Sequence, residues 1–189
     1  QERKAIQFQA LHEKDQPFLL PNPWDIGSAR LLAGMGFEAL ATTSLGLANM
    51  LGVRGASRAQ VLQNGRDIVQ ATNLPVSFDL ENGFADEPLD AASMIKEAYD
   101  MGAVGASIED FTGDNHAPIY DFNLAVERVQ AAVEVSNALP VPFMLTARAE
   151  ERLFGRMDLD ATIKRLQAFE AAGADVLFAP GLYSLDEIS

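Results

Sequence analysis

The sequence predicts an α/β fold, a parallel sheet flanked by helices that is either closed as a (β/α)8 barrel or open and doubly wound. Three observations predict it. Short apolar runs rich in β-formers alternate with longer segments of helical period. The segments "GMGFEALATTS", "DMGAVGASIED" and "AAGADVLFAPG" form a weak internal repeat, each passing from a helix end through glycine into an apolar strand. Finally, "NLPVSFDLE" and "ALPVPFMLTARAE" place proline just ahead of a strand, where it stops the preceding helix without removing a central ladder bond.

In chain order the strands are expected at residues 18–20, 39–42, 76–80, 103–108, 143–147 and 176–179, and the helices at about 26–35, 57–72, 89–101, 123–137 and 159–172. Gly36, Gly102 and Gly173 stand where three of these helices must stop in the left-handed conformation that glycine adopts cheaply. No Gly-x-Gly-x-x-Gly follows the first strand, which lowers the dinucleotide-binding alternative. With six strands in view, a closed barrel requires two more units beyond Ser189 or from elsewhere.

The 189 residues are 48% hydrophobic, enough for one core, and no linker or composition break divides them; a single domain over 1–189, incomplete at its carboxyl end, is expected. Lys plus Arg number 14 against 27 Asp plus Glu, a net charge of −13 that argues against nucleic-acid or anionic-membrane partners. The absence of cysteine removes disulfides, thiolate metal sites and a cysteine nucleophile together. No apolar stretch reaches the roughly 20 residues of a membrane span, and the charged amphipathic start "QERKAIQFQALHEKDQ" is unlike a secretory signal, so a cytoplasmic protein is expected.

In "SFDLENG", Asp79 and Glu81 stand two apart where a strand ends, a spacing that aims both carboxylates to one face. Other expected strand ends deliver Trp24 and Asp25, the run Thr42-Thr43-Ser44, Glu109 and Asp110, and Arg148, Glu150 and Glu151. In a βα barrel these ends share one mouth. Carboxylates gathered there repel unless a cation sits among them. Oxygen-only donors with no His or Cys beside them suit Mg2+, with Mn2+ as the alternative. We expect Asp79 to bind it directly or nearly so, and Glu81 and Glu109 to hold its waters. Taken singly, each acid also reads as a solvated strand-end or helix cap.

Arg148 carries a fork of donors suited to clamping a substrate carboxylate, and is alternatively an ion-pair partner of Glu150 or Glu109. Thr43 and Ser44 can offer amides and hydroxyls to an oxyanion, or cap the next helix. His116 lies in the polar segment "DFTGDNHAPIYDFN", from which a loop histidine can reach a site as acid or base or stay solvated. Trp24 either walls the pocket or packs the barrel, and His12 reads as a surface residue. Lysines occur only at positions 4, 14, 96 and 164, none at a strand end, which argues against Schiff-base chemistry.

The motifs "LPNPWDIGSARLLAGMGFEALATTSLGLA", "LPVSFDLENGFAD", "GASIED" and "LTARAE", in that order, resemble the isocitrate lyase and phosphoenolpyruvate mutase superfamily, most closely its carboxyphosphonoenolpyruvate phosphonomutase-like members. The resemblance implies a (β/α)8 barrel of the phosphoenolpyruvate/pyruvate-binding type with its C-terminal units missing here. It also implies a tetrameric homo-oligomer, and Mg2+ bound to the carboxylate and carbonyl of a 2-oxo acid. By the same resemblance Asp79, Glu81 and Glu109 are the acids around the metal, Arg148 holds the substrate carboxylate, and Thr43 and Ser44 form the turn whose amides hold the substrate. The expected activity is that of a lyase or hydrolase cutting a C–C or P–C bond through an enolate-like intermediate, with Glu109, Glu81 and His116 as proton-carrier candidates.

The chain departs from that pattern in three places. It lacks the cysteine of the lyase branch, has Phe111 and Thr112 where the mutase branch has a lysine, and has Gly55 where an aspartate is usual. These departures turn the expectation away from isocitrate-type cleavage and true phosphonomutase activity, and toward oxaloacetate-type chemistry. A barrel that binds a metabolite anion without turning it over, or a metal-dependent pyruvate aldolase, are the alternatives.

Overall fold

The computed structural model describes residues 1–155 and 158–188. Strands β1 (Leu40–Ala41), β2 (Val76–Asp79), β3 (Gly105–Glu109), β4 (Met144–Arg148) and β5 (Val176–Phe178) form one curled, wholly parallel sheet in chain order. Around it run α1 (Glu2–His12), α2 (Ile26–Gly34), α3 (Ser44–Leu51), α4 (Arg58–Ala71), α5 (Pro88–Asp100), α6 (Phe122–Asn137), α7 (Leu159–Ala171) and α8 (Leu185–Ile188). Sequential order with parallel pairing is what successive βα units produce. No helix among the described residues is long and apolar enough to cross a membrane.

The helix boundaries follow local chemistry. Asp25 with Ser28 and Ser57 with Gln60 form reciprocal capping boxes at the starts of α2 and α4, and Pro88 opens α5 where its missing N–H costs nothing. Beyond α5 and α7, Gly102 and Gly173 each adopt φ +102°, so the chain reverses into the next strand within a few residues.

One strand expectation fails. Residues 18–20 lie in no strand; the segment runs beside β1 with one backbone bond, from the Ala41 N–H to the Pro21 carbonyl at 3.1 Å. The reason lies in "PFLLPNP": Pro17, Pro21 and Pro23 have no N–H to give to a ladder. Among the described residues the expected six strands are therefore five. Conversely, α1, α3 and the short α8 are not among the expected helices.

The sheet sorts its side chains by face. Phe78, Leu80, Ala106, Ile108, Leu145 and Ala147 are buried against the helices, whereas Ser77, Asp79, Ser107, Glu109, Thr146 and Arg148 occupy the opposite face. Burying the first set supplies the main stabilisation of a helix-flanked sheet. Register then aligns the second: Asp79, Ser107, Thr146 and Val176 form one row across β2 to β5, and Glu109, Arg148 and Phe178 form the next row toward the carboxyl ends.

Helix α1 covers the opposite end. Phe8 packs with Ala39, Val104 and Leu11 in a second apolar cluster, and its ring lies against Gly105 so closely that a Cβ there would come within 2.8 Å. The Gln1 side chain donates to the carbonyls of Tyr99 and Ala103, each at 2.8 Å, and Lys4 donates to that of Thr72 at 3.0 Å.

A tight helix-to-sheet approach gives a test with an inverted sign. Gly65 lies inside α4, where alanine normally adds helix stability, but a Cβ at this position would stand 2.3 Å from the Phe78 ring. Gly65→Ala is expected to destabilise by about 1–3 kcal/mol, measured by denaturant unfolding, because the packed sheet cannot retreat.

Candidate active site

The polar face of the sheet lines a cavity of about 540 Å3 whose walls include Thr42, Ser44, Asp79, Ser107, Thr146, Arg148 and Phe178. A separate hollow beneath Arg128 and Phe169 holds only about 10 Å3 and is a packing gap.

Asp79 is fixed by the turn at the end of β1. Its Oδ2 accepts from the Ser44 N–H at 2.9 Å and the Ser44 hydroxyl at 2.7 Å, while its own N–H donates to Thr42 Oγ1 at 2.8 Å. The carboxylate thus sits at the N-terminus of α3, where free N–H groups favour negative charge. Thr43 is the N-cap of that helix, its hydroxyl accepting from the Gly46 N–H at 3.1 Å. The Thr43 hydroxyl and Ser44 amide therefore already have partners within the protein.

Glu81 follows with φ +51°, a left-handed backbone at a non-glycine residue, stabilised by its N–H to Asp79 Oδ1 at 3.3 Å and by its carbonyl accepting from the Glu109 N–H at 2.9 Å. Its Oε1 is buried without a hydrogen-bond partner. Burial first, and then the neighbouring Asp79 charge, push its pKa up to about 7. Glu109 is pushed up to about 8, chiefly by burial, with Arg148 opposing and Glu150, Asp79 and Glu81 adding repulsion.

Arg148 stands among them. Its Nε donates to Glu150 Oε1 at 2.9 Å, Nη1 lies 3.5 Å from Asp79, Nη2 lies 3.4 Å from Glu109, and the guanidinium sits 5.2 Å from the centre of the Phe178 ring. Only the Nε contact is short. The two Nη groups are held loosely on the cavity side.

Four carboxyls thus face one guanidinium, a formal surplus of three negative charges when all are ionised. This surplus, the partnerless Glu81 oxygen and the oxygen-only donors fit a hard divalent cation. The expected three-acid grouping is looser than the sequence suggested. Among the described residues no three acids or histidines stand close enough to enclose an ion with their own atoms, and Arg148 lies between Asp79 and Glu109. Mg2+, which keeps several waters and takes few direct protein ligands, suits that spacing.

Four expected site residues do not line the cavity: Glu81 and Glu109, which stand beside Asp79 and Arg148, and His116 and Trp24. His116 is exposed in a segment closed on itself: Phe111 bridges to Ile119, the Thr112 N–H bonds to Pro118 O at 2.9 Å, and the His116 N–H bonds to Asp114 Oδ1 at 2.8 Å. Trp24 is 52% exposed, its indole against Gly46 and its carbonyl accepting from Asn64 Nδ2 at 2.8 Å, a packing role. Sequence reasoning missed Ser77 and Ser107, although each stands two before an expected site acid. It also missed Arg128. This buried arginine of α6 donates to the carbonyls of Asn82, Ala85 and Asp86 and stacks 4.2 Å from the centre of the Tyr120 ring, holding the loop that presents Glu81.

The raised carboxyls give a pH signature. From about pH 4.5 to pH 8, Glu81 and Glu109 bind more protons in the folded chain than in the unfolded one, so their contribution to stability is full below that window and is lost as pH rises through it. Melting temperature in chelator is expected to fall across the window; Glu81→Gln/Glu109→Gln should flatten the slope, and saturating Mg2+ should do so without mutation.

Residues 8–189 match the phosphoenolpyruvate phosphomutase family. A Burkholderia cenocepacia J2315 protein assigned as a lyase/mutase superposes with a TM-score of 0.97 at 54% identity, over 99% of this chain and 68% of its own. The 2-methylisocitrate lyase of Escherichia coli K12 is 30% identical over 191 residues, 94% of this chain and 62% of that protein. An oxaloacetate acetylhydrolase solved with its product oxalate superposes with a TM-score of 0.88 at 25% identity, over 98% of this chain and 66% of that one. The chain thus spans roughly two thirds of the proteins it matches. From the strand-end acids, the arginine among them and this match along nearly its whole length, it follows that the chain belongs to the phosphoenolpyruvate phosphomutase family, within the isocitrate lyase/phosphoenolpyruvate mutase superfamily.

Proposed function

We propose that the chain is the core of a cytoplasmic, Mg2+-dependent lyase or hydrolase that cuts a C–C or P–C bond in a small 2-oxo acid or dicarboxylate. One observation carries the proposal: Arg148 is tied through Nε to Glu150 and presents two loosely held Nη groups to a polar cavity. A substrate carboxylate replaces the 3.4–3.5 Å contacts with a bidentate pair. The names of the E. coli lyase and the oxaloacetate hydrolase support small acids as substrates.

Asp79, Glu81 and Glu109 are the residues that would hold the hydrated Mg2+, which when bound polarises the carbonyl next to the bond that breaks. Hydroxyls of Ser107 and Thr146, one row below Arg148, orient the remaining substrate oxygens. Glu81, whose buried Oε1 has no hydrogen-bond partner of its own, is the group that holds or releases a proton at that atom. The exposed His116 is left without a part in this scheme.

We further propose that strands beyond β5 close the sheet into a (β/α)8 barrel, supported by Leu177 and Phe178 standing 36% and 47% exposed on the edge strand. Exposed Leu31, Met35, Leu45 and Met50 supply apolar surface for a homo-oligomer, a tetramer by resemblance.

A second reading, a metabolite-binding protein without turnover, is favoured by Gly55, which stands exposed where an acid was expected. Incubation with Mg2+ and a panel of 2-oxo acids and dicarboxylates separates the two. Release of pyruvate, oxalate or phosphate is expected, abolished by chelator and lowered by about 100-fold or more in kcat/KM by Arg148→Lys, which keeps the charge but loses the fork. Saturable oxalate binding with no turnover on any acid would leave the binding reading.

A further inference from the structure

We propose that Arg165, on the outer helix α7, is a positioning residue for Arg148, acting through Asp110 and Glu150. The inference rests on the reading of Arg148 as the anion clamp. Arg165 does not line the cavity, yet it is 5% exposed and surrounded by polar groups from the loops that follow β3 and β4. Its Nε lies 3.3 Å from Asp110 Oδ2, its Nη2 lies 3.7 Å from Glu151 Oε1, and its Nη1 donates to the Tyr120 carbonyl at 3.3 Å. The Nε contact falls outside hydrogen-bond geometry, so it acts as a charge pair rather than a directional bond.

What Asp110 does with its other oxygen makes this more than a buried ion pair. Oδ1 accepts from the Glu150 N–H at 2.8 Å, and Glu150 in turn accepts from Arg148 Nε at 2.9 Å. The Asp110 N–H donates to the Arg148 carbonyl at 3.2 Å, so the same residue fixes both the backbone of Arg148 and the base of its anchor. Asp110 and Glu150 are each 3% exposed, and water cannot readily replace these contacts. A cation on the outer layer thus neutralises Asp110 and stabilises the spacing between the segments that carry Glu109 and Arg148. Without it, Asp110 is left as a buried charge lacking its main counter-ion. The Glu150 anchor loosens, and the Arg148 fork loses the direction that a bidentate contact requires.

The test measures oxalate affinity by titration calorimetry with saturating Mg2+, together with the 15N-detected Nε–H resonance of Arg148, identified by its loss in Arg148→Lys. Arg165→Met is expected to weaken oxalate by about tenfold or more and to move the Arg148 resonance toward that of a free arginine. Arg165→Lys should recover part of both, since it restores charge but not the three-way reach. Combining Arg165→Met with Glu150→Gln should weaken binding no further than the worse single change, because both act on one chain of contacts. Ile68→Val, in the core of α4, is the control: it lowers the melting temperature and leaves oxalate affinity unchanged.

Unchanged oxalate affinity and an unmoved Arg148 resonance in the Arg165 variants would overturn the proposal, as would full additivity with Glu150→Gln. If the unaltered protein binds no oxalate, the anion-clamp reading fails on its own. The resonance then still decides the link, upheld if it moves in the Arg165 variants and overturned if it does not. Should Arg165→Met not fold, Arg165→Lys carries both readouts, with a smaller change of the same direction.

Discussion

The site depends on one electrostatic arrangement: a single guanidinium, Arg148, set among Asp79, Glu109 and Glu150 in a largely buried position. Like charges this close would drive their strand ends apart or take up protons, and Glu109 with the adjoining Glu81 are pushed to about 8 and about 7, by burial first and by the neighbouring carboxylates after it. Arg148 offsets part of the repulsion. The remainder is a formal negative surplus at one end of the sheet, the feature on which the proposed divalent cation and its anion rest.

The fold supports that arrangement by separating two jobs on each strand. In β3, Ala106 and Ile108 pack against helices while Ser107 and Glu109 face inward; in β4, Leu145 and Ala147 pack while Thr146 and Arg148 face inward. Because the strand period is two, packing and chemistry occupy alternate positions and neither has to yield to the other. The helices contribute electrostatics as well as cover. The start of α3 holds Asp79, a buried arginine of α6 holds the loop after β2, and the arginine of α7 reaches the loops after β3 and β4.

Much of this was legible in the sequence. Strand alternation and proline and glycine punctuation located the five strands among the described residues to within two residues, and strand-end logic singled out Asp79, Glu81, Glu109 and Arg148, which stand together in the structure. Residues 18–20 misled because an apolar run looks like a strand even where flanking prolines forbid a ladder. Trp24 and His116 misled for a different reason. Both are chemically suggestive, but side-chain direction in a turn depends on loop closure that no periodicity reports. Arg128 and Arg165 were illegible as support because an arginine amid helical sequence reads as solvent-facing; only the packing of one unit against the next reveals that these two point inward.

Helix α1 has a consequence for traffic. Phe8 is seated over Gly105 and the side chains of Gln1 and Lys4 are fastened to carbonyls of the flanking units, so α1 caps the end of the sheet away from Arg148. In the proposed closed barrel, that leaves the rim where Arg148 stands as the way in and out. On that proposal, admission, retention and departure of small molecules are governed at one threshold, and the guanidinium that greets an arriving anion is also the last group a departing one must let go.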